Sequence, residues 1–367
     1  MYDENNGDME MKKRCFLMLL LIACTAACAT ETGIKTLEVK SVVAPQYKAL
    51  NVSKIAILVK PYRDLPLRIV EDEFMKFLIA KGYTISSRSD VETIKKELKF
   101  QHSDFTDKDM VEIGKILNVP ALIIISINDY RQENFRYDKG TGTQHSIVMG
   151  ARAIDVETTD VIWLGTTKHA DFALNELLVT LSQNLGRDFP ARNNAMVDQP
   201  IASIAASSFN KRDLTKMAIL ASADKSNHKE YSRKASLPPR VVEDEFMRAL
   251  IGKGYKVPSR SDVTSIMGEL KFQYSGLTDD DAVSVGKMLN VPAIVVINRN
   301  WYHQYSVRGR FDNYCMILGA RIIDVQKAEI LWVGTETLCK WSDSKAIETE
   351  LYSEVSEKLA SSIPPKS

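Results

Sequence analysis

Short apolar runs alternate with amphipathic stretches along residues 51–187, and that alternation sets an order of elements. Ile55–Lys60 is a compact apolar run that reads as a strand. From Pro66 to Lys81, Ile69, Val70, Phe74, Phe77 and Leu78 recur at helical spacing on one face, and Gly82 stands where a helix stops. Tyr83–Ser86 predicts a second strand, and Ser89-Asp90-Val91-Glu92 is a capping-box pattern opening a helix through Leu98. Thr106 caps a further helix with Met110, Ile113 and Leu117 inward, ended by Val119-Pro120. Leu122–Ile127 is a run of branched residues, the pattern of a strand covered on both faces. Ser146–Val156 and Val161–Lys168 predict an antiparallel pair around a tight turn at Glu157–Asp160, and Asp171 to Leu185 a closing amphipathic helix.

The series is then written a second time. Arg68–Ile125 aligns without a gap on Arg240–Ile297, with roughly three positions in five identical, a self-similarity on the scale of a whole domain. Val70-Glu71-Asp72-Glu73-Phe74-Met75 returns as Val242-Glu243-Asp244-Glu245-Phe246-Met247, and Lys81-Gly82-Tyr83 as Lys253-Gly254-Tyr255. Farther on, Gly150-Ala151-Arg152 and Ile154-Asp155-Val156 match Gly319-Ala320-Arg321 and Ile323-Asp324-Val325. The expected fold class is α/β, a tandem duplication of a three-layer domain. Each copy has a mixed five-stranded sheet, three parallel strands plus an antiparallel hairpin, flanked by helices. Right-handed crossovers put the parallel strands in the order second-first-third. The expected domains are 51–187 and 213–363, with 28–50 as a tether and 188–212 as a linker.

Residues 1–27 read as an address. Met11-Lys12-Lys13-Arg14 is a basic start, followed by the apolar run Cys15–Ala23, which is too short to span a bilayer and fits a signal peptide. The acidic residues before Met11 do not suit a targeting segment, so translation is expected to start at Met11. Leu21-Ile22-Ala23-Cys24 resembles a bacterial lipobox, which makes Cys24 the acylated residue; Thr25-Ala26-Ala27-Cys28 makes Cys28 the alternative. Several acyl chains together anchor a protein stably where a single chain does not. No aspartate follows either cysteine, so the outer membrane, on its periplasmic side, is the expected location.

Charge adds exclusions. Lys plus Arg number 48 against 47 for Asp plus Glu, and no basic face is concentrated enough to call for nucleic acid. The five cysteines form no CxxC pair and no His stands at ligand spacing from them, so no metal site is expected. Cys315 and Cys339 lie on the two arms of the second hairpin: in one register they face each other and can form a disulfide, and a one-residue slip separates them. Glu71-Asp72-Glu73 and its counterpart read as first-turn charge that complements the helix dipole. Asp279-Asp280-Asp281 reads as a helix start behind a Thr278 cap, and Gly140-Thr141-Gly142 as a hairpin feature, not a phosphate cradle. No triad geometry is evident around the scattered histidines. No catalytic residue and no cofactor is therefore expected. Trp301, Tyr302 and Tyr305, with their counterparts Tyr130 and Phe135, form aromatic groups in the hairpin loops and are candidate partner contacts.

The ordered set formed by Lys54–Leu58, Arg88-Ser89-Asp90-Val91 with Glu97, Val119-Pro120-Ala121 and Ala151–Val156 with Val161-Ile162-Trp163 resembles the CsgG family of periplasmic lipoproteins, and the second copy matches as well. The same fold is found in the LpoB-type lipoprotein that activates peptidoglycan synthases. The resemblance implies a non-enzymatic, lipid-anchored module for secretion or envelope assembly, with envelope or secreted proteins as partners. A homo-oligomer, an LpoB-like activator and an enzyme on the sheet's strand ends stay open as alternatives. The connection Arg131–Gln144 is short, so no membrane-barrel strands are expected from it.

Overall fold

A computed structural model describes residues 39–48, 50, 52–63, 65–86, 107–137, 140–192, 201–222, 239–270, 278–307, 311–342 and 347–366. The signal segment, both lipidation candidates, the helix expected at 89–98 and the Thr106 cap lie outside them.

The first half contains β1 (Lys40–Val43), β2 (Lys54–Val59), helix α1 (Arg68–Ala80), β3 (Thr84–Ile85), α2 (Asp107–Ile116), β4 (Ala121–Tyr137), β5 (Gly140–Asp155), β6 (Val161–Asp171) and α3 (Leu174–Asp188). The second contains β7 (Ser203–Ala205), β8 (Met217–Ser222), α4 (Pro239–Gly252), α5 (Arg260–Glu269), α6 (Asp279–Met288), β9 (Ala293–Val307), β10 (Phe311–Asp324), β11 (Ile330–Ser342) and α7 (Ile347–Ser361). Two mixed sheets result, in the orders β1-β6-β5-β4-β2-β3 and β7-β11-β10-β9-β8. The order second-first-third for the parallel strands is present in the first sheet as β3-β2-β4.

Three differences from the expected five-stranded unit have physical causes. The stretch before the first sheet and the connector before the second each add an edge strand, β1 on β6 and β7 on β11, satisfying backbone groups that an open edge would expose. In the second half the short parallel strand is reduced to one bridge, Lys216 with Lys256, leaving that sheet at five strands. Arg131–Gln144 is not a short loop. It forms the paired ends of β4 and β5, in register from Arg131 opposite Ser146 out to Tyr137 opposite Gly140. Trp301, Tyr302, Tyr305, Tyr130 and Phe135 accordingly lie within the strands of two antiparallel ribbons, not in loops; Tyr302 stands opposite Met316 and Phe135 opposite Gly142.

Several repeated phrases acquire structural roles. Gly82 and Gly254 adopt φ of 87° and 89°, a region open to glycine at little strain, and end α1 and α4. The preceding Lys81 donates to the carbonyls of Arg187 and Phe189 at the C-terminal end of α3, and Lys253 does the same to Ser361 and Ile363 at the C-terminal end of α7. Asp155 Oδ1 accepts from the N–H groups of Glu157 and Thr158, and Asp324 Oδ1 from those of Gln326 and Lys327, pinning both hairpin turns. Trp163 and Trp332 are both buried. Trp163 packs edge-on against Phe189 with ring centres 4.9 Å apart.

Candidate functional site

The strongest concentration of buried charge lies where the halves meet. Helix α1 is apolar toward its own sheet, and its opposite face lies against β7 and β11 of the second half. Hence every residue from Ile69 to Ile79 is buried, including Glu71, Asp72, Glu73 and Lys76. These residues are placed by helical spacing: positions 72, 76 and 79 fall on one stripe.

Arg321, in mid-β10, is received by this stripe. Its Nη2 donates to Asp72 Oδ1 at 3.0 Å and its Nη1 to Asp279 Oδ2 at 3.0 Å, with Glu71 Oε1 3.7 Å from Nη1. Burial alone would weaken its protonation, but the carboxylates of Asp279, Asp72 and Glu71 reverse that and hold it charged beyond the usual arginine range. The planar fork serves two carboxylates at once, which a single ammonium cannot match in geometry. A second group adjoins it. Lys76 Nζ donates to Glu73 Oε1 at 2.8 Å and to Thr335 Oγ1 at 2.5 Å. Thr335 donates in turn to Glu73 Oε1 at 2.7 Å, and Gln183 Nε2 to Glu73 Oε2 at 3.0 Å. Arg68 Nη1 reaches Asn298 Oδ1 at 2.7 Å. Chemically this is a latch: the buried charges are held by one another across the junction, in a closed contact of helix α1 on the second sheet.

The acidic triplet therefore does more than complement a helix dipole, and Asp279 does more than open α6. Thr278 does cap α6, accepting from Asp281 N at 3.2 Å while Asp281 accepts from Thr278 N, but Asp279 turns inward to Arg321. The sequence signal for Arg321 was its position inside Ile317–Ile323, an otherwise nonpolar run whose only charge demands a buried partner.

In the second half the homologous triplet is served locally. Arg260 Nε donates to Glu243 Oε2 at 2.8 Å and its Nη2 to Asp244 Oδ1 at 2.6 Å. Burial pushes the Glu243 carboxyl above the ordinary glutamate value, with Arg260 offsetting part of the rise.

Among the candidate contacts, Tyr130 sits at the base of the first ribbon. Its ring stacks on His145, 5.9 Å between centres, and its hydroxyl lies 2.9 Å from His145 Nδ1. The Arg63 guanidinium lies 5.8 Å from the Tyr130 ring centre and 5.2 Å from that of Tyr62, a cation–π arrangement that sequence reasoning did not find. Burial raises the Tyr130 hydroxyl pKa and lowers that of His145. On the second ribbon Cys315 stands directly opposite Cys339, Cα atoms 4.1 Å apart, with the sulfurs joined. Among the described residues no helix is long and apolar enough to cross a membrane, which says nothing of strands.

No family model and no curated protein matches this sequence. Similar solved structures include a PelC dodecamer from Paraburkholderia phytofirmans, at 13% identity and TM-score 0.26, covering 40% of this chain and 86% of that one. The lipoprotein GNA1162 from Neisseria meningitidis matches at 16% identity and TM-score 0.28, over 36% of this chain and 96% of that one. The LpoB C-terminal domain from Salmonella enterica matches at 14% identity and TM-score 0.25, over 36% and 90%.

Proposed function

We propose that this protein is a non-enzymatic, lipid-anchored binding or assembly module facing the bacterial periplasm. The observation that carries the reading is the sequence Leu21-Ile22-Ala23-Cys24 behind a basic start and a short apolar run. An acylated cysteine would confine the two sheets to the membrane surface, within reach of envelope proteins. The buried latch supports a rigid scaffold, because Arg321 and Lys76 tie α1 to the second sheet and are engaged in packing. The polar ribbon β4–β5 extends past His145, where the pairing with β6 ends, and presents Tyr130 and Arg63 near its base as a recognition surface.

Membrane fractionation tests the anchor. Wild type is expected in the membrane fraction, and the Cys24→Ala variant in the soluble periplasmic fraction. If Cys28→Ala alone is released, the acylated residue is Cys28. Finding wild type soluble, with no fatty acid on the mature chain by mass spectrometry, refutes the proposal. Pull-down from solubilised envelopes then addresses the partner, a peptidoglycan synthase being the outcome that selects the activator reading.

A further inference from the structure

The contact between the halves is not self-complementary: a helix face of the first meets a sheet face of the second. Such a contact leaves two faces unused, the helix face of the second half and the sheet face of the first. Both carry the homologous residues, and both are open. On the helix side, Ile79 is 5% exposed whereas Ile251 is 57% exposed. The Asp72 side chain is buried against Arg321, whereas that of Asp244 is 57% exposed, and Lys76 is buried where Arg248 is exposed. On the sheet side, Ile330 and Val333 are 1% and 0% exposed, whereas their counterparts Val161 and Leu164 are 44% and 46% exposed. Ile204 packs against the shared core, whereas its counterpart Val42 is 68% exposed.

The ladders confirm that each set shares a face. Val42 stands opposite Leu164, and Leu164 opposite Arg152, just as Ile204 stands opposite Val333, and Val333 opposite Arg321. The cores tell the same story. The cluster of Ala56, Leu58, Ile113, Leu122, Ile124 and Ile154 stays separate in the first half, while its second-half counterpart is fused through Val333 and Ile330 to the core around α1.

We propose that the protein self-associates head to tail: α4 of one copy docks on the β1-β6-β5 face of the next as α1 docks on β7-β11-β10. Asp244 then exchanges its exposed partner Arg260 for Arg152, in the place that Arg321 takes on Asp72, and Arg248 meets Thr166 as Lys76 meets Thr335. Ile251 joins the apolar group Val42, Val161 and Leu164. Charge is complementary across the contact, acidic Asp244 on the helix and Arg152 on the sheet. A heterologous contact of this kind closes into a ring or continues as a filament according to its rotation. The inference is independent of the lipid anchor, since both faces belong to the folded sheets.

Sedimentation of the full chain in mild detergent tests it. Wild type is expected as a concentration-dependent species of several chains. Leu164→Glu blocks only the sheet face and Ile251→Glu only the helix face, so each alone is expected at the mass of one chain. Mixed in equal amounts, they retain one intact face each and are expected to form a species of twofold mass. Ile116→Glu lies outside both faces, since Ile116 and its counterpart Met288 are both exposed, and is expected to sediment as wild type. Val42→Lys and Arg248→Glu repeat the pair if either first variant fails to show the wild-type unfolding temperature. A single-chain wild type at every concentration, unchanged association in the blocked variants, or a mixture that stays at one-chain mass overturns the proposal.

Discussion

Arg321→Ala is the sharpest perturbation of the latch. The substitution leaves Asp72 and Asp279, each 3.0 Å from a guanidinium nitrogen, and Glu71 at 3.7 Å, without their shared cation in a site closed to water. Removing one partner of a buried pair costs about 3–5 kcal/mol, because the surviving charge stays desolvated. With three carboxylates losing the cation they share, the upper part of that range applies. For a unit of about 150–250 residues each kcal/mol moves the midpoint by about 2–4 °C, so the second half is expected to unfold about 10–20 °C lower. Calorimetry of the full chain reads this directly. Arg152→Ala is the comparison, since Arg152 occupies the homologous register position opposite Leu164 but is only half-buried, and its loss is expected to cost about 1 kcal/mol or less. Arg321→Lys is expected between the two, because one ammonium cannot reproduce the two-pronged donation to Asp72 and Asp279. The double variant Arg321→Ala with Asp72→Ala is expected to lose clearly less than the two single losses added together. An Arg321→Ala midpoint within error of Arg152→Ala, or strict additivity in the cycle, would refute the account of the latch.

Two glycines in the second half are expected to respond to alanine with opposite signs. A Cβ on Gly286 would lie 2.5 Å from Val325 Cγ2 in the core, so Gly286→Ala is expected to destabilise by about 1–3 kcal/mol. Gly268, with nothing within 4 Å of that position, is expected to gain about 0.5 kcal/mol, both read by denaturant midpoint. Cys339→Ser opens the link to Cys315 across 24 residues of chain and is expected to lower stability by about 2–4 kcal/mol, with reductant reproducing the effect in wild type but not in the variant. Glu243 has its folded value raised by burial, so the stability it contributes is fully present below the ordinary glutamate value and lost as pH rises through the raised one. Glu243→Gln is therefore expected to flatten the fall in unfolding midpoint from about pH 4.5 toward neutrality; an unchanged slope contradicts it.

Much of the fold was legible because local chemistry and tertiary role coincide. Gly82 and Gly254 mark helix ends, Asp155 and Asp324 mark turns, and the branched run after Ala121 is a covered strand. The register of Cys315 and Cys339 stayed open in the sequence because a slip of one residue reverses faces, and only the full ladder places them together. Edge strands Lys40–Val43 and Ser203–Ala205 were not legible, since segments of four and three residues pair only because β6 and β11 offer an edge. The ribbon arms escaped notice for a similar reason. Residues Arg131–Arg136 are polar apart from Phe135 and do not alternate, so the sequence shows no apolar face and their strand conformation follows from pairing with the facing arm. Burial of the latch was the hardest feature to read. Arg68–Ile79 and Arg240–Ile251 are nearly the same peptide, yet the first is enclosed on both faces and the second exposes its outer face at Asp244, Arg248 and Ile251, a difference the near-identical segments do not announce.

That contrast explains why the junction is ionic. A helix face built only of apolar residues would suit the enclosed copy, but on the other copy it would leave a continuous apolar patch in water, a liability for association with the wrong surfaces. Asp and Lys or Arg at the same positions serve both settings. Exposed to water, Asp244 pairs with Arg260 and Arg248 with Glu245 of its own half, whereas in the enclosed copy Asp72 and Lys76 find Arg321, Glu73 and Thr335 at hydrogen-bonding distance. Buried ion pairs add little net stability over apolar packing, yet they penalise every misaligned arrangement by leaving a charge unmatched. The latch therefore specifies one geometry of helix on sheet more than it strengthens it, and a face with that property can be presented to solvent until a matching sheet arrives.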